Sequence, residues 1–152
     1  MPWVGPAAHC VAVPEIESLG ALVSRIVGDL EAGLLRSGFE EPIQRGSASG
    51  SVSVIDDPEE PGLHLLKVTL RVMKVPSERT EEFYRRLLEL NRTFNGRAAF
   101  SVNATDVVSL TAARPVADLD SSEVIDLILW TSDKADDLDD KLLTEFGYQY
   151  QF

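Results

Sequence analysis

The sequence predicts an α+β fold in which three helices pack against one antiparallel sheet of about five strands. Three segments carry apolar residues at spacings of three and four, the period of a helix with one buried face. Other segments alternate apolar and polar residues, the period of a half-buried strand. These strands come in neighbouring pairs joined by short turns, which favours an antiparallel sheet over a doubly wound parallel one. The predicted order is α-β-β-β-α-β-β-α.

The first predicted helix begins at Glu15, which lies with Glu17 in the turn where acidic side chains interact favourably with the helix dipole. The helix is predicted to continue to Arg36 and to stop at Gly38, because glycine commonly ends helices. Its apolar stripe consists of Ile16, Leu19, Val23, Ile26, Val27, Leu30 and Leu34.

Two or three strands are predicted next, the weakest of them at residues 39–45. Residues 51–54 and 66–72 alternate apolar and polar side chains. The run Asp-Asp-Pro-Glu-Glu-Pro-Gly at residues 56–62 consists of turn formers and charges, so it predicts a hairpin between these two strands. Residues 46–51 are rich in Gly and Ser, and we interpret them as a flexible lead-in, because a phosphate loop would need a following Gly-Lys-Ser/Thr.

The second predicted helix follows Pro76 and ends at residues 95–96, an Asn-Gly pair. Its first turn is acidic, which suits the helix dipole. Its apolar residues share one face: Phe83, Leu87, Leu90 and Phe94. Residues 98–102 and 108–112 then alternate in character, and residues 103–106 contain turn formers. This pattern predicts a second hairpin.

The third predicted helix starts with the pattern of a capping box, Asp120 followed three residues later by Glu123, and ends at Gly147. Its apolar stripe consists of Val124, Ile128, Ala135, Leu138, Leu142 and Phe146. It also contains a cluster of aspartates: Asp133, Asp136, Asp137, Asp139 and Asp140. A calcium loop needs a glycine turn, which is missing here, and the apolar stripe runs through the cluster. We therefore interpret the aspartates as an acidic solvent face.

The composition is that of a globular protein. Hydrophobic residues make up 44% of the chain and charged residues 26%, which excludes collagen-like, disordered and disulfide-scaffold classes. The net charge of −11 repels phosphate backbones, so we expect no nucleic-acid partner. A single cysteine and the lack of a membrane-spanning apolar run predict a cytoplasmic protein that does not bind membranes. We assign residues 15–152 to one domain and residues 1–14 to a flexible segment.

Charge is unevenly distributed along the chain. Residues 118–145 contain ten acidic and two basic side chains, whereas residues 67–97 contain eight basic and four acidic ones. We expect the acidic third helix and the basic second helix to balance each other within or between subunits. Docking of a charged partner segment is the alternative.

The two histidines are the first candidates for catalysis, and neither fits. His9 stands beside Cys10, where adjacent side chains tend to diverge, and His64 lies in a strand without a local acid or thiol pattern. No ligand cluster has metal-binding spacing. We therefore expect no catalytic residues and no cofactor, and expect calcium, zinc and ATP to leave thermal stability unchanged. The alternative is a small enzyme whose site is assembled from residues distant in sequence.

Apolar residues outside the helix stripes predict a homodimer. The preferred interface residues are Tyr84 and Leu88 on the second helix and Trp130 on the third. Further apolar residues left over in the same way are Leu22, Leu35 and Ile125. The alternative is that broad helix stripes bury these side chains within one subunit.

The last residues of the sequence alternate aromatic side chains with Gly and Gln. This period of two predicts a strand with Phe146, Tyr148, Tyr150 and Phe152 on one side. We expect the strand to dock along a sheet edge of its own subunit or across a dimer, because four exposed aromatics would forfeit burial free energy. Fraying after Gly147 is the alternative.

Four motifs carry a resemblance to a known family. Met-Lys-Val-Pro at residues 73–76 precedes Glu-Glu-Phe-Tyr-Arg-Arg-Leu-Leu-Glu-Leu-Asn at residues 81–91, Val-Val-Ser-Leu occupies residues 107–110, and Asp-Leu-Asp opens the acidic helix at residues 118–120. Together they resemble the YbjN family, over about residues 63–146. That family looks like the type III secretion chaperones in fold. The resemblance implies an α+β sandwich and a homodimer that binds another, unidentified protein. It also implies a chaperone, adaptor or bacterial regulatory role and no enzymatic activity.

Overall fold

A computed structural model describes residues 17–152, which form three α-helices, five strands and one short 3-10 helix. The helices are α1 Leu19–Glu31, α2 Thr80–Thr93 and α3 Ser121–Phe146. The strands are β1 Glu40–Arg45, β2 Ala48–Asp56, β3 His64–Lys74, β4 Ala99–Val102 and β5 Val107–Pro115. The 3-10 helix is η1 Tyr148–Tyr150. The predicted α+β class and its order of elements are confirmed. The segment 1–14 lies outside the described residues.

The five strands form one antiparallel sheet in the order β1-β2-β3-β5-β4, so β1 and β4 are its edges. Both predicted hairpins, β2–β3 and β4–β5, are present. Helix α3 lies on the central strand β3, with α1 packed along α3 and α2 beside β4. One face of the sheet is buried under the helices through alternate residues: Val52, Val54, Leu66, Val68, Leu70, Val108 and Leu110.

Aromatic contacts join α2 to its neighbours. The rings of Phe83 on α2 and Phe146 on α3 meet edge to face, with their centroids 5.0 Å apart. At the other end of α2, the ring of Phe94 lies 5.7 Å from that of Phe100 on β4. Fully burying a phenylalanine stabilises a fold by roughly 1.5–3 kcal/mol, so these contacts fix the position of α2 and therefore of its outer face.

The predicted first helix is too long at its C-terminal end. Helix α1 stops at Glu31, because Gly33 adopts a positive φ of 69° that no helix continues. Ser18 caps its start by accepting a hydrogen bond from the Ala21 amide. Leu34, predicted to belong to the stripe, is 57% exposed, whereas Leu22, predicted to be left over, is fully buried. Residues 15 and 16 lie outside the described part of the chain.

Residues 46–51 are not a flexible lead-in. Gly46 and Ser47 form the two-residue turn between β1 and β2, and β2 already begins at Ala48. Gly46 has a φ of 56°, the glycine-favouring conformation at the first position of a type II′ hairpin turn. The Gly-Ser composition therefore encodes a tight turn and a strand of small residues.

The prediction of a C-terminal strand is also wrong. Residues Tyr148–Tyr150 form a 3-10 turn after Gly147, so the aromatic side chains point in different directions. The hydroxyl of Tyr150 accepts a hydrogen bond from the Ser77 amide at 3.3 Å, and the two hydroxyls lie 3.1 Å apart. The segment docks on its own subunit through this contact, while Tyr148 and Phe152 remain exposed.

Candidate functional site

Helix α2 presents an apolar outer face because its inner positions already fill the core. Phe83, Leu87 and Leu90 are buried, and they leave Tyr84 and Leu88 on the solvent side of the same helix. Tyr84 is 39% exposed and Leu88 is 68% exposed. Both were predicted interface residues, and the structure brings them together one helical turn apart.

Strand β4 completes this surface. A groove of about 290 Å³ runs between α2 and the β4 edge, and it is lined by Tyr84, Leu87, Leu88, Asn91, Phe100, Ser101 and Val102. Val102 follows the buried Phe100 at the spacing of the predicted alternating run, yet it is 37% exposed because β4 is an edge strand. Tyr84, Leu88 and Val102 thus form one apolar patch, which we call the α2–β4 surface.

Asn91 closes the edge of β4 at the base of the groove. Its Oδ1 accepts a hydrogen bond from the Phe100 amide at 2.6 Å, and its Nδ2 donates to the Phe100 carbonyl at 3.3 Å. The side-chain amide therefore occupies the outward backbone groups that a neighbouring strand would use. This pairing favours contacts made through side chains over the addition of another strand at Phe100. Nothing in the sequence around Asn91 indicates this role, because Phe100 lies in a different element.

The charges of α2 divide into paired and unpaired groups. The carboxylate of Glu82 pairs with Arg79 at 2.8 Å, that of Glu89 with Arg85 at 3.1 Å, and that of Glu145 on α3 with Arg86 at 3.2 Å. Glu81 and Arg92, by contrast, form no ion pair with any residue in the range 17–152. They lie on either side of Tyr84 and Leu88 along the helix. The patch is therefore bracketed by one unpaired negative and one unpaired positive charge.

Trp130, the third predicted interface residue, lies in a separate cluster. Its ring is half-buried and meets that of Phe94 edge to face at 5.8 Å, and the Arg97 guanidinium stacks over it at 4.1 Å. Arg97 also donates to both carboxylate oxygens of Asp126 at 2.7 Å. The Arg97–Asp126 and Arg86–Glu145 pairs both join the basic segment around α2 to the acidic helix α3. These charges therefore pair within one subunit, which is one of the two arrangements expected from the sequence.

His64 has an acidic partner that the local sequence did not reveal. Its Nδ1 lies 2.7 Å from Asp56 Oδ1, because the β2–β3 register places these residues opposite each other. Half of the His64 side chain is exposed, and the pair flanks the loop that joins β2 to β3. The imidazole thus has an orienting partner, but half of its side chain faces solvent. Within residues 17–152, no three His, Cys, Asp or Glu side chains are grouped to hold a metal ion.

The length and apolarity of the described helices show whether any of them could cross a membrane. None of those in residues 17–152 combines the length and the apolarity that a bilayer crossing requires. Helix α3 is long enough, but charged residues recur along it.

The fold and the site together define a small α+β domain whose exposed apolar residues concentrate on one helix and one edge strand. The chain belongs to the YbjN family, whose sequence model matches residues 39–144 and is described as "putative bacterial sensory transduction regulator". The match runs from the residue before β1 almost to the end of α3. It confirms the resemblance drawn from the motifs. A comparison with curated proteins finds no match.

Proposed function

We propose that this chain is a non-enzymatic regulator that acts by binding protein, and that its α2–β4 surface binds a second copy of the chain. Membership of a family of regulators supports the regulatory part. The observation that carries the binding part is the apolar pair Tyr84 and Leu88 between the unpaired charges of Glu81 and Arg92. This arrangement is self-complementary.

Self-complementarity follows from the spacing along α2. A two-fold axis near residue 86 sets two α2 helices antiparallel, with Tyr84 of one copy against Leu88 of the other. The same axis sets Glu81 of one copy against Arg92 of the other, since both pairs are centred on nearly the same position. An isologous interface of this kind repeats each contact twice. A heterologous partner would need a complementary charge pattern of its own, whereas a second copy already has it.

The energetics favour a dimer of moderate affinity. Two or three apolar side chains per copy make a smaller interface than the roughly 1,200–2,000 Å² of total buried surface in tight complexes. We therefore expect a dissociation constant in the micromolar range. The charges at the rim contribute mainly orientation and specificity, because exposed ion pairs add only about 0.2–1 kcal/mol each.

Sedimentation velocity tests this proposal. Leu88→Glu places an unpaired charge in the interface and is expected to raise the dissociation constant about 30-fold, which corresponds to roughly 2 kcal/mol. Leu34→Glu is the matched control, since Leu34 is an exposed leucine outside α2. It should leave the dissociation constant unchanged.

Charge reversal distinguishes a two-fold α2 interface from any other. Glu81→Arg and Arg92→Glu are each expected to weaken the dimer about three- to tenfold by setting like charges against each other. The double variant restores the opposite charges and should recover most of the affinity. A wild-type chain that remains monomeric at tens of micromolar, or a double variant weaker than both single ones, would refute the proposal.

A further inference from the structure

The β1–β2 turn is seated on helix α3 at three aspartates of one helix face. Arg45 Nε lies 3.0 Å from Asp133 Oδ1. Gly46 lies so close to Asp136 that a Cβ at position 46 would collide with Asp136 Oδ1. The Ser47 hydroxyl donates a hydrogen bond to Asp139 Oδ2. The turn therefore follows α3 over two helical turns.

Asp139 is buried, contrary to the predicted acidic solvent face. Its side chain is fully inaccessible, and Oδ1 has no hydrogen-bond partner among the described residues. A signal for this burial exists in the sequence, because Asp139 lies four residues after Ala135 and three before Leu142, on the apolar stripe. The residue type concealed it, since aspartate is rarely buried without a charged partner.

The surroundings of Asp139 disfavour its charged form. Burial raises the pKa of its carboxyl group, the Ser47 hydrogen bond opposes that rise, and the neighbouring carboxylates of Asp140 and Asp136 reinforce it. The turn packed against it brings one cation, Arg45, which pairs with Asp133. Across residues 17–152 no basic side chain from α1, β1 or β2 forms an ion pair with Asp139. The ionised carboxylate thus lacks a compensating charge.

We propose that the β1–β2 turn is a pH-sensitive latch on α3, closed over the protonated Asp139 and loosened when Asp139 ionises. Opening the latch brings the carboxyl group into water, where it releases its proton more readily. A rise in pH therefore favours the open form, and a fall in pH favours the closed form. Opening would expose Ile43 and Ala48, which flank the turn and are buried in the closed form.

The slope of opening against pH follows from linkage. One proton is released on opening at pH values between the ordinary aspartate pKa of 3.8 and the raised pKa of the closed form. Within that window the ratio of open to closed molecules rises about tenfold for each pH unit. Above the window both forms are ionised and the ratio is constant. The latch is therefore most sensitive to pH between these two pKa values.

Amide hydrogen exchange by NMR tests the latch. Protection factors, which are corrected for the intrinsic pH dependence of exchange, should fall as the pH rises through this window, by up to about tenfold per pH unit, for β1 and the start of β2. Amides of β3 and β5 should not share this slope. Asp139→Asn should abolish the slope. Asp137→Asn should retain it, because Asp137 is an exposed aspartate of the same helix that pairs with Lys141.

Three results would overturn the latch. The first is a wild-type protection factor in β1 that does not change between pH 4 and pH 8. The second is an equal slope in β3 and β5, which would indicate global unfolding instead of local opening. The third is a carboxyl carbon titration of Asp139 in the wild-type chain with a midpoint at or below 3.8, a measurement that needs no variant.

Discussion

Gly50 offers a sharp test of the sheet packing, because the close approach of β2 to β3 depends on its missing side chain. Gly50 lies opposite Leu70 in the β2–β3 register. A Cβ at this position would overlap the carbonyl oxygen of Thr69 and lie 2.9 Å from the Leu70 Cα, where ordinary contact begins at 3.4 Å. Gly50→Ala therefore forces two central strands apart.

The cost of Gly50→Ala follows from the nature of the obstacle. The colliding atoms belong to the backbone of β3, which is held by β5 on its other side, so no side chain can rotate away. Inserting one carbon into a packed interior typically costs about 1–3 kcal/mol, and a backbone obstacle places this variant at the upper end. For a chain of this size about 3 kcal/mol lowers the melting temperature by roughly 6–12 °C.

Urea unfolding followed by circular dichroism measures this loss. Gly28→Ala is the matched control, because Gly28 lies in α1 with nothing within 4 Å of the added Cβ. Replacing a helical glycine at such an open position should stabilise the chain by about 0.4–1 kcal/mol. The two variants thus have opposite expected signs. Surface substitutions ordinarily change stability by no more than about 0.5 kcal/mol. A Gly50→Ala chain that lies this close to the wild type would refute this account of the sheet.

Three further outcomes are expected from thermal melts. Arg79 donates a hydrogen bond to the Glu145 carbonyl at 3.0 Å and stacks on Phe146, so Arg79→Ala should lower the melting temperature. Arg79→Gly should lower it less, because glycine accepts the positive φ of 57° at this position. Tyr150→Phe should lower it slightly by removing the contacts with Ser77, whereas an unchanged value would mean that they contribute nothing. Millimolar calcium, zinc or ATP should leave it unchanged, and a reproducible rise of several degrees would contradict this.

The elements were predictable because their signals are local. Asp120 and Glu123 form the predicted capping box, with both reciprocal hydrogen bonds present. The stripe of α2 and the alternation in β3 likewise need only neighbours within one element. The prediction of a C-terminal strand was wrong because it depended on a local signal alone. The aromatic residues alternate with Gly and Gln, but Gly147, with its φ of 127°, turns the chain. A period of two without a strand partner does not define a strand.

The candidate site was predictable only where it lies on one element. Tyr84 and Leu88 could be identified from the stripe of α2 alone. The sequence did not show that Trp130 lies in a different cluster from Tyr84 and Leu88. Phe94 and Arg97, which half-cover its ring, lie more than 30 residues earlier in the chain. The role of Asn91 at the β4 edge and the partner of Asp139 at the β1–β2 turn depend on tertiary contacts. The type of a residue and its spacing from its neighbours do not indicate which distant residue it will contact.

The proposed latch and the proposed dimer surface should act independently, although α3 touches both regions. Its Asp139 meets the β1–β2 turn, and its Glu145 pairs with Arg86 on α2. The two surfaces otherwise lie at opposite edges of the sheet, β1 and β4. Coupling between them would require an element with two alternative arrangements. Helix α3 is one continuous helix of 26 residues, capped at its start and packed along its length. It therefore has a single arrangement and cannot couple the two surfaces.

Asp139→Asn should therefore leave the dimer dissociation constant within about twofold of the wild type, which is the usual limit of additivity for distant sites. Leu88→Glu should likewise leave the pH slope of β1 protection unchanged. Sedimentation at pH 5 and pH 8 measures the first expectation, and hydrogen exchange measures the second. A wild-type dissociation constant that changes tenfold between these pH values, and does so only when Asp139 is present, would show that α3 transmits the ionisation of Asp139 to α2.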